Sequence, residues 1–132
     1  MITLLLVDDQ VTVRKGLRMR LALEPDMTVL GEAGDATSAL ALIPALAPDV
    51  VVMDVELPDG NGIDVTAALQ TAAPHSAVVV LSLHDDGATR TRALAAGATA
   101  FVAKHQPDGV LLDAIRQASH GSQRQEAPMC TR

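Results

Sequence analysis

The sequence predicts an α/β fold in which a doubly wound parallel sheet is covered by helices on both faces. Short runs rich in Val, Ile and Leu have the length and composition of strands buried on both sides. The segments between them repeat apolar residues at the spacing of a helix. Because these two patterns alternate along the chain, a parallel sheet with helices on both of its faces is expected.

Five segments are predicted to be strands. Ile2–Val7 and residues 50–53 and 77–81 are apolar runs, which predicts strands buried on both faces. Met27–Ala33 is more mixed, as an edge strand would be, and Ala100–Ala103 is a short fifth candidate.

Four of the five predicted helices follow from apolar spacing. The first rests on Val13, Leu17 and Leu21, at positions i, i+4 and i+8. The second, third and fifth show the spacing i, i+3, i+4, i+7, at Ala36, Ala39, Leu40 and Ile43, at Val65, Ala68, Leu69 and Ala72, and at Leu111, Ala114, Ile115 and Ala118.

The fourth helix, residues 86–96, is predicted mainly from its ends. Asp85 or Asp86 would cap its start and Gly97 would stop it. In the second helix, Pro44 lacks the amide that a helix interior needs, so we expect it to kink or shorten that helix.

The domain is expected to end with the fifth helix. Pro107 suits the first turn of that helix and Gly121 suits its end. Residues 122–132 carry no apolar periodicity. We therefore interpret residues 1–121 as one domain and residues 122–132 as a flexible tail or the start of a linker.

The composition of the chain argues against several classes of function and location. The chain has 132 residues, 48% of them hydrophobic, which suits one domain that folds without disulfides. The single cysteine, Cys130, cannot form an internal disulfide, and the N-terminus lacks the pattern of a secretion signal, so a cytoplasmic location is expected. No apolar run approaches the length of a membrane span. A net charge of -6 and a single aromatic residue, Phe101, argue against direct binding of nucleic acid.

Polar side chains follow the predicted strands. The first strand ends in Asp8 and Asp9, the third in Asp54, the fourth in Ser82 and the fifth in Lys104. Ligands of parallel α/β sheets bind beyond the carboxyl ends of the strands. The sequence therefore predicts three carboxylates, a hydroxyl and an ammonium group on one rim.

Three carboxylates in one pocket repel one another and raise one another's pKa unless a cation is present. Mg²⁺ prefers oxygen ligands and is commonly held by one or two carboxylates together with phosphate oxygens. A carboxylate, a divalent metal, an ammonium group and a hydroxyl fit phosphoryl transfer. Asp54 is the best candidate nucleophile because it ends the run expected to lie at the centre of the sheet.

This set of five residues resembles the site of the receiver domain of two-component response regulators, over about residues 2–121. The segments LPDGNG (57–62) and LSLHDD (81–86), and His105 after Lys104, resemble the subfamily with helix-turn-helix output domains of the NarL, FixJ and LuxR kind. The resemblance implies a flavodoxin-like fold with strand order 2-1-3-4-5.

The resemblance also implies roles for the residues. Asp54 would accept a phosphoryl group from a sensor histidine kinase. Asp8 or Asp9, together with Asp54 and the backbone carbonyl of Glu56, would hold Mg²⁺.

Three further roles concern the response to phosphorylation. Lys104 would pair with phosphoryl oxygens, and the Ser82 hydroxyl would donate a hydrogen bond to another of these oxygens. Phe101 would turn inward as Ser82 moves, so that the altered face involves the fourth and fifth helices and the fifth strand.

Ordinary structural roles remain open for the same residues. Asp8 and Asp9 could cap the first helix. Ser82 could be a turn hydroxyl, Phe101 a core residue, and residues 60–62 a plain turn before the third helix.

Two other functions are compatible with parts of the pattern. A phosphohydrolase of the haloacid-dehalogenase kind also uses an aspartyl nucleophile with an acid two residues on, which Asp54 and Glu56 mimic loosely. A pseudo-receiver would keep the fold without carrying phosphate. The different placement of the acidic pair and the lack of recognisable substrate-pocket residues argue against the phosphohydrolase, and the intact set of five residues argues against the pseudo-receiver. The favoured interpretation is a phosphoacceptor that turns over no external substrate.

The resemblance implies partners as well. We expect a histidine kinase to dock near the first helix and the rim loops, and phosphorylation to promote a homodimer. Eleven residues after Gly121 are too few for a helix-turn-helix. The chain is therefore expected to be a stand-alone receiver or, as we favour, a fragment of a transcription regulator.

Overall fold

The computed structural model describes residues 1–83 and 86–130 of the chain, and side chains as far as Gly121. The strands of the main sheet are β1 (Ile2–Val7), β2 (Met27–Ala33), β3 (Val50–Asp54), β4 (Ala77–Ser82) and β5 (Ala100–Ala103). The helices are α1 (Val11–Leu21), α2 (Ala36–Leu46), α3 (Gly62–Ala72), α4 (Gly87–Ala95) and α5 (Asp108–Cys130). Two residues, Glu56–Leu57, also pair antiparallel with Gly60–Asn61 between β3 and α3.

The main sheet is entirely parallel, with the order β2-β1-β3-β4-β5, which confirms the predicted flavodoxin-like topology. β1 lies beside β3, with Val7 opposite Met53. This register places Asp8, the residue after β1, level with Asp54 at the end of β3. The topology alone therefore brings two of the predicted carboxylates to neighbouring positions.

Each face of the sheet contributes to its own apolar core. Residues such as Leu5, Val51 and Met53 pack toward α2, α3 and α4 on one face. Leu4 and Val52 pack toward α1 and α5 on the other. Since the central strands are covered on both faces, the polar residues that function needs can lie only at the strand ends.

The predicted helix starts and stops are mostly confirmed. Asp86 caps α4 and accepts a hydrogen bond from the Thr89 amide at 2.6 Å. Gly97 has a φ of 111°, the left-handed conformation expected of a glycine stop. The alternative cap, Asp85, lies outside the described residues. Pro44 lies inside α2, which ends at Leu46, two residues later.

The predicted end of α5 at Gly121 is wrong. The helix continues to Cys130. Among the described residues Gly97 is the only glycine with positive φ, so Gly121 does not adopt the left-handed conformation that would stop the helix. Most of the residues after it are also adequate helix formers. Residues 131 and 132 lie outside the described part, and the role of 122–132 as a tail or linker remains a prediction.

In the described part, no helix has the length and apolar character that crossing a bilayer demands.

Asp59, in the loop after β3, holds the start of α2. Its carboxylate accepts hydrogen bonds from the Ala36 amide at 2.7 Å, the Thr37 amide at 3.1 Å and the Thr37 hydroxyl at 2.7 Å. These bonds, the one from Ala36 foremost, lower the pKa of Asp59. The loop that follows the strand of Asp54 is thereby tied to a neighbouring helix.

We expect Asp59 to make stability depend on pH in acid. A group with a lowered folded-state pKa contributes its full stability above the unfolded value, about 3.9, and loses it as the pH falls through the folded value. Urea unfolding should therefore show a steeper loss of stability below about pH 4 in the wild type than in Asp59→Asn. Parallel curves for the two proteins would mean that these hydrogen bonds do not favour the ionised form.

Candidate functional site

The three predicted carboxylates meet at the carboxyl end of the sheet. Asp8 follows β1 and is 2% exposed, while Asp54 ends β3 and is 7% exposed. Asp9 is exposed beside them. One carboxylate oxygen from each residue lies within 4.8 Å of the other two. This separation is small enough for one metal ion to bridge them, given ligand bonds of roughly 2 Å.

Lys104 reaches into the same cluster from the end of β5. Its Nζ lies 3.1 Å from Asp8 Oδ2 and 3.3 Å from Asp54 Oδ1. Its backbone amide donates to the carbonyl of Ser82 at 2.7 Å, which joins the ends of β4 and β5. One ammonium group therefore faces two buried carboxylates that come from different strands.

The charges in this cluster are not balanced. Burial raises the pKa of Asp54 and the charge of Asp8 raises it further, while Lys104 acts in the opposite direction. Burial by itself would lower the pKa of Lys104, but the hydrogen bond to Asp8 and the charge of Asp54 keep it above its ordinary value. With Lys104 charged, the site retains an excess of negative charge that favours a divalent cation.

A small pocket of about 90 Å³ opens between these groups. It is lined by residues from four strand ends, namely Asp9, Gln10, Asp54, Val55, Glu56, Ser82, Leu83 and Lys104. Ser82 is buried and Glu56 is exposed. The volume suits a hydrated ion or a single phosphoryl group better than an extended organic substrate.

Phe101 lies on β5, next to the strand of Ser82. It is 8% exposed and packs in the core between the sheet and α4. The guanidinium carbon of Arg90, on α4, lies 6.0 Å from the ring centroid, within the range of a cation–π contact. The ring therefore already faces inward and touches α4, the helix whose movement the switch role would require.

The alternative role of Asp8 and Asp9 as helix caps is not supported. The residue at the N-cap of α1 is Gln10, and its side chain makes no capping hydrogen bond. Asp8 Oδ1 instead accepts from the Gln10 amide at 2.9 Å, while Asp8 Oδ2 faces Lys104. The chain thus places these acids in the cluster and not over the first turn of the helix.

Residues 60–62 are more than a plain turn. Asn61 caps α3 by accepting from the Ile63 amide at 2.7 Å. A Cβ added to Gly62 would lie 1.9 Å from the backbone oxygen of Asp54, so no larger residue fits without moving Asp54. Sequence reasoning missed this packing role, because the two glycines look alike until the backbone of Asp54 is seen beside one of them.

A sequence model described as the response regulator receiver domain matches residues 4–116. The chain belongs to the response regulator receiver family. Such domains are signalling modules. The fold, the acidic cluster and the lysine that follows β5 at the same edge of the sheet are all consistent with this membership.

The relatives indicate the subfamily. The DNA-binding transcriptional activator DevR/DosR of Mycobacterium tuberculosis is 37% identical over 121 residues, which are 92% of this chain and 56% of that protein. A LuxR-family response regulator from an Aurantimonas species has a solved structure with a TM-score of 0.88 and 32% identity, covering 92% of this chain and 86% of that one. These relatives confirm the predicted resemblance to regulators of the NarL, FixJ and LuxR kind.

One of these relatives is an enzyme and not a transcription regulator. A protein-glutamate methylesterase/protein-glutamine glutaminase of Rhizobium etli is 37% identical over 127 residues, which cover 92% of this chain and 36% of that protein. The chain spans about half the length of the first curated relatives it matches. Membership of the family therefore does not determine which output this receiver controls.

Proposed function

We propose that this chain accepts a phosphoryl group on Asp54 from a sensor histidine kinase, in a reaction that depends on Mg²⁺. The observation that carries the proposal is the position of Lys104 Nζ, within 3.3 Å of Asp54 and 3.1 Å of Asp8. A fixed cation beside a buried carboxylate can pair with the oxygens of a phosphoryl group that arrives on that carboxylate.

In the transfer, an oxygen of Asp54 forms a bond to phosphorus. The bond between phosphorus and the imidazole nitrogen of the donor histidine breaks, and its electron pair stays with that nitrogen. Lys104 offsets the charge on the equatorial oxygens. Burial and the charge of Asp8 raise the pKa of Asp54 in the metal-free protein, and bound Mg²⁺ would offset this effect and keep the carboxylate ionised for attack.

The donor set fits a hard divalent cation. The carboxylates of Asp8, Asp9 and Asp54 and the backbone carbonyl of Glu56 would hold Mg²⁺, since all are oxygen ligands. When bound, the ion supplies positive charge that stabilises the phosphoryl oxygens and relieves repulsion among the carboxylates.

The response to phosphorylation would pass through Ser82 and Phe101. A phosphoryl group on Asp54 adds oxygens that can accept a hydrogen bond from the Ser82 hydroxyl. Movement of Ser82 toward the phosphate would let the ring of Phe101 settle further inward. The surface formed by α4, β5 and α5 would change as a result.

We propose that the altered surface controls a DNA-binding output domain. This is supported by the relative DevR/DosR, which is a DNA-binding transcriptional activator. The receiver itself would not contact nucleic acid or membrane, would act in the cytoplasm, and would form a homodimer when phosphorylated. It would catalyse its own phosphorylation and dephosphorylation without turning over an external substrate.

Stoichiometry tests this proposal. The protein is incubated with Mg²⁺ and acetyl phosphate and its intact mass is followed, while a parallel sample receives Mg²⁺ and p-nitrophenyl phosphate. We expect labelling that stops at one phosphoryl group per chain, with no sustained release of nitrophenol. Absence of labelling would favour a pseudo-receiver, and continuous turnover would favour an enzyme.

A further inference from the structure

Arg14, on α1, joins the acidic cluster to β2. Its Nη1 donates to the backbone carbonyl of Asp8 at 2.5 Å, and its Nε donates to Glu32 Oε1 at 3.1 Å. The side chain is only 16% exposed. A Cβ added to Gly34 would lie 3.1 Å from Nη1, so the small residue leaves space for the guanidinium group.

The carbonyl that Arg14 holds lies at the point where the chain leaves the sheet. The Asp8 amide still pairs with the carbonyl of Ala33 at 3.1 Å, which is the last link between the first two strands. After Asp8 the chain turns into α1, whose N-cap residue, Gln10, makes no side-chain capping bond. Sheet pairing therefore does not fix the peptide between Asp8 and Asp9, whereas the Arg14 bond does.

The orientation of this peptide sets where two carboxylates point. Asp8 Oδ2 faces Lys104 and its Oδ1 accepts from the Gln10 amide. Asp9 is exposed and follows the held carbonyl directly. If the peptide rotates, both acids change direction together.

The effect of Arg14 is expected to be geometric. Its positive charge is already opposed by Glu32, which also pairs with Arg18. A guanidinium group can serve two acceptors at once because its donors form a rigid fork, whereas a lysine ammonium is a single point on a flexible chain.

We propose that Arg14 is a positioning residue for the metal site, holding Asp8 and Asp9 in the direction that a divalent cation requires. This inference rests on the proposed function, because it assumes that the acidic cluster binds Mg²⁺. Groups that orient metal ligands without touching the metal commonly change metal affinity by about 10-fold or more.

The chain offers a matched control. Arg18→Ala removes an ion pair with Glu32 just as Arg14→Ala does, but Arg18 does not contact Asp8. Mg²⁺ alone is titrated into each protein by calorimetry, because the chain has no Trp or Tyr to report binding by fluorescence. We expect affinity about 10-fold weaker in Arg14→Ala and within about 2-fold of wild type in Arg18→Ala.

A second measurement needs no metal. Hydrogen exchange of the Gln10 amide, which is bonded to Asp8 Oδ1, should be faster in Arg14→Ala than in Arg18→Ala. If Arg14→Ala does not fold, Arg14→Lys keeps the charge and is expected to bind Mg²⁺ at least about 3-fold more weakly than wild type.

The outcomes separate this inference from the proposed function. The positioning role would be overturned if the two alanine variants bound Mg²⁺ equally well, or if Arg14→Lys bound it as tightly as the wild type. In either case the proposed function would stand as long as the wild type bound the ion and accepted phosphate. A wild type that bound no Mg²⁺ would overturn both.

Discussion

Replacing Asp54 with asparagine is expected to abolish phosphorylation, lowering the rate of labelling by acetyl phosphate by a factor on the order of 10³ or more. The amide has almost the same shape as the carboxylate but is not a nucleophile at this step. Asp54 is 7% exposed and its Oδ1 lies 3.3 Å from Lys104, so the variant should change the chemistry of the site with little change in its packing.

The control for this experiment is Asp64→Asn. Asp64 lies in the first turn of α3, is exposed and is not part of the acidic cluster. We expect Asp64→Asn to be labelled like the wild type. Equal labelling of the Asp54 and Asp64 variants, measured by intact mass, would show that another residue accepts the phosphate.

Asp54→Asn should also make the metal-free protein more stable at neutral pH. Burial and the charge of Asp8 raise the pKa of Asp54, so the ionised form is disfavoured in the folded state. The stability that Asp54 contributes is present below its unfolded pKa and is lost as the pH rises through the folded value. The advantage of Asp54→Asn in urea unfolding should therefore shrink as the pH falls through that range.

Replacing Lys104 with methionine is expected to destabilise the metal-free protein by about 3 kcal/mol. The ammonium group lies 3.1 Å from Asp8 and 3.3 Å from Asp54, and its side chain is 16% exposed. Without it, two buried carboxylates would face each other with no cation. Added Mg²⁺ should recover more stability in this variant than in the wild type, since the ion would supply the missing positive charge.

The other lysine of the chain provides the control. Lys15 is exposed on α1, and Lys15→Met should change stability by no more than about 0.5 kcal/mol. Both variants lose one positive charge, so the difference between them isolates the position of the charge. If Lys104→Met and Lys15→Met unfold at the same urea concentration, the two ion pairs of Lys104 do not stabilise the fold.

The sequence was sufficient for the sheet and for the cluster at its edge. The apolar pattern predicts the strands, and every strand except the second ends in or is followed by a polar residue whose burial would be costly without a partner. Since parallel strands end at one edge, Asp8, Asp54 and Lys104 could be expected to meet although up to 96 residues separate them. The strand order came from the family resemblance and not from the apolar pattern.

What sequence reasoning missed depends on contacts between segments. Arg14 looks like any other basic residue of α1 until its bond to the Asp8 carbonyl is seen, and Asp59 looks like a turn residue until it reaches α2. Gly62 is fixed by the backbone of Asp54 beside it. The end of α5 was misplaced because a glycine stops a helix only when it adopts positive φ, which composition does not reveal.

We expect one site to hold Mg²⁺ and to receive phosphate on Asp54. The most direct test is a crystal structure of the protein with Mg²⁺ and beryllofluoride, a mimic of the phosphoryl group. We expect the beryllium on an oxygen of Asp54, Lys104 in contact with a fluorine, and the metal among Asp8, Asp9 and the carbonyl of Glu56. Beryllofluoride on another residue, or a metal bound away from this cluster, would contradict the account.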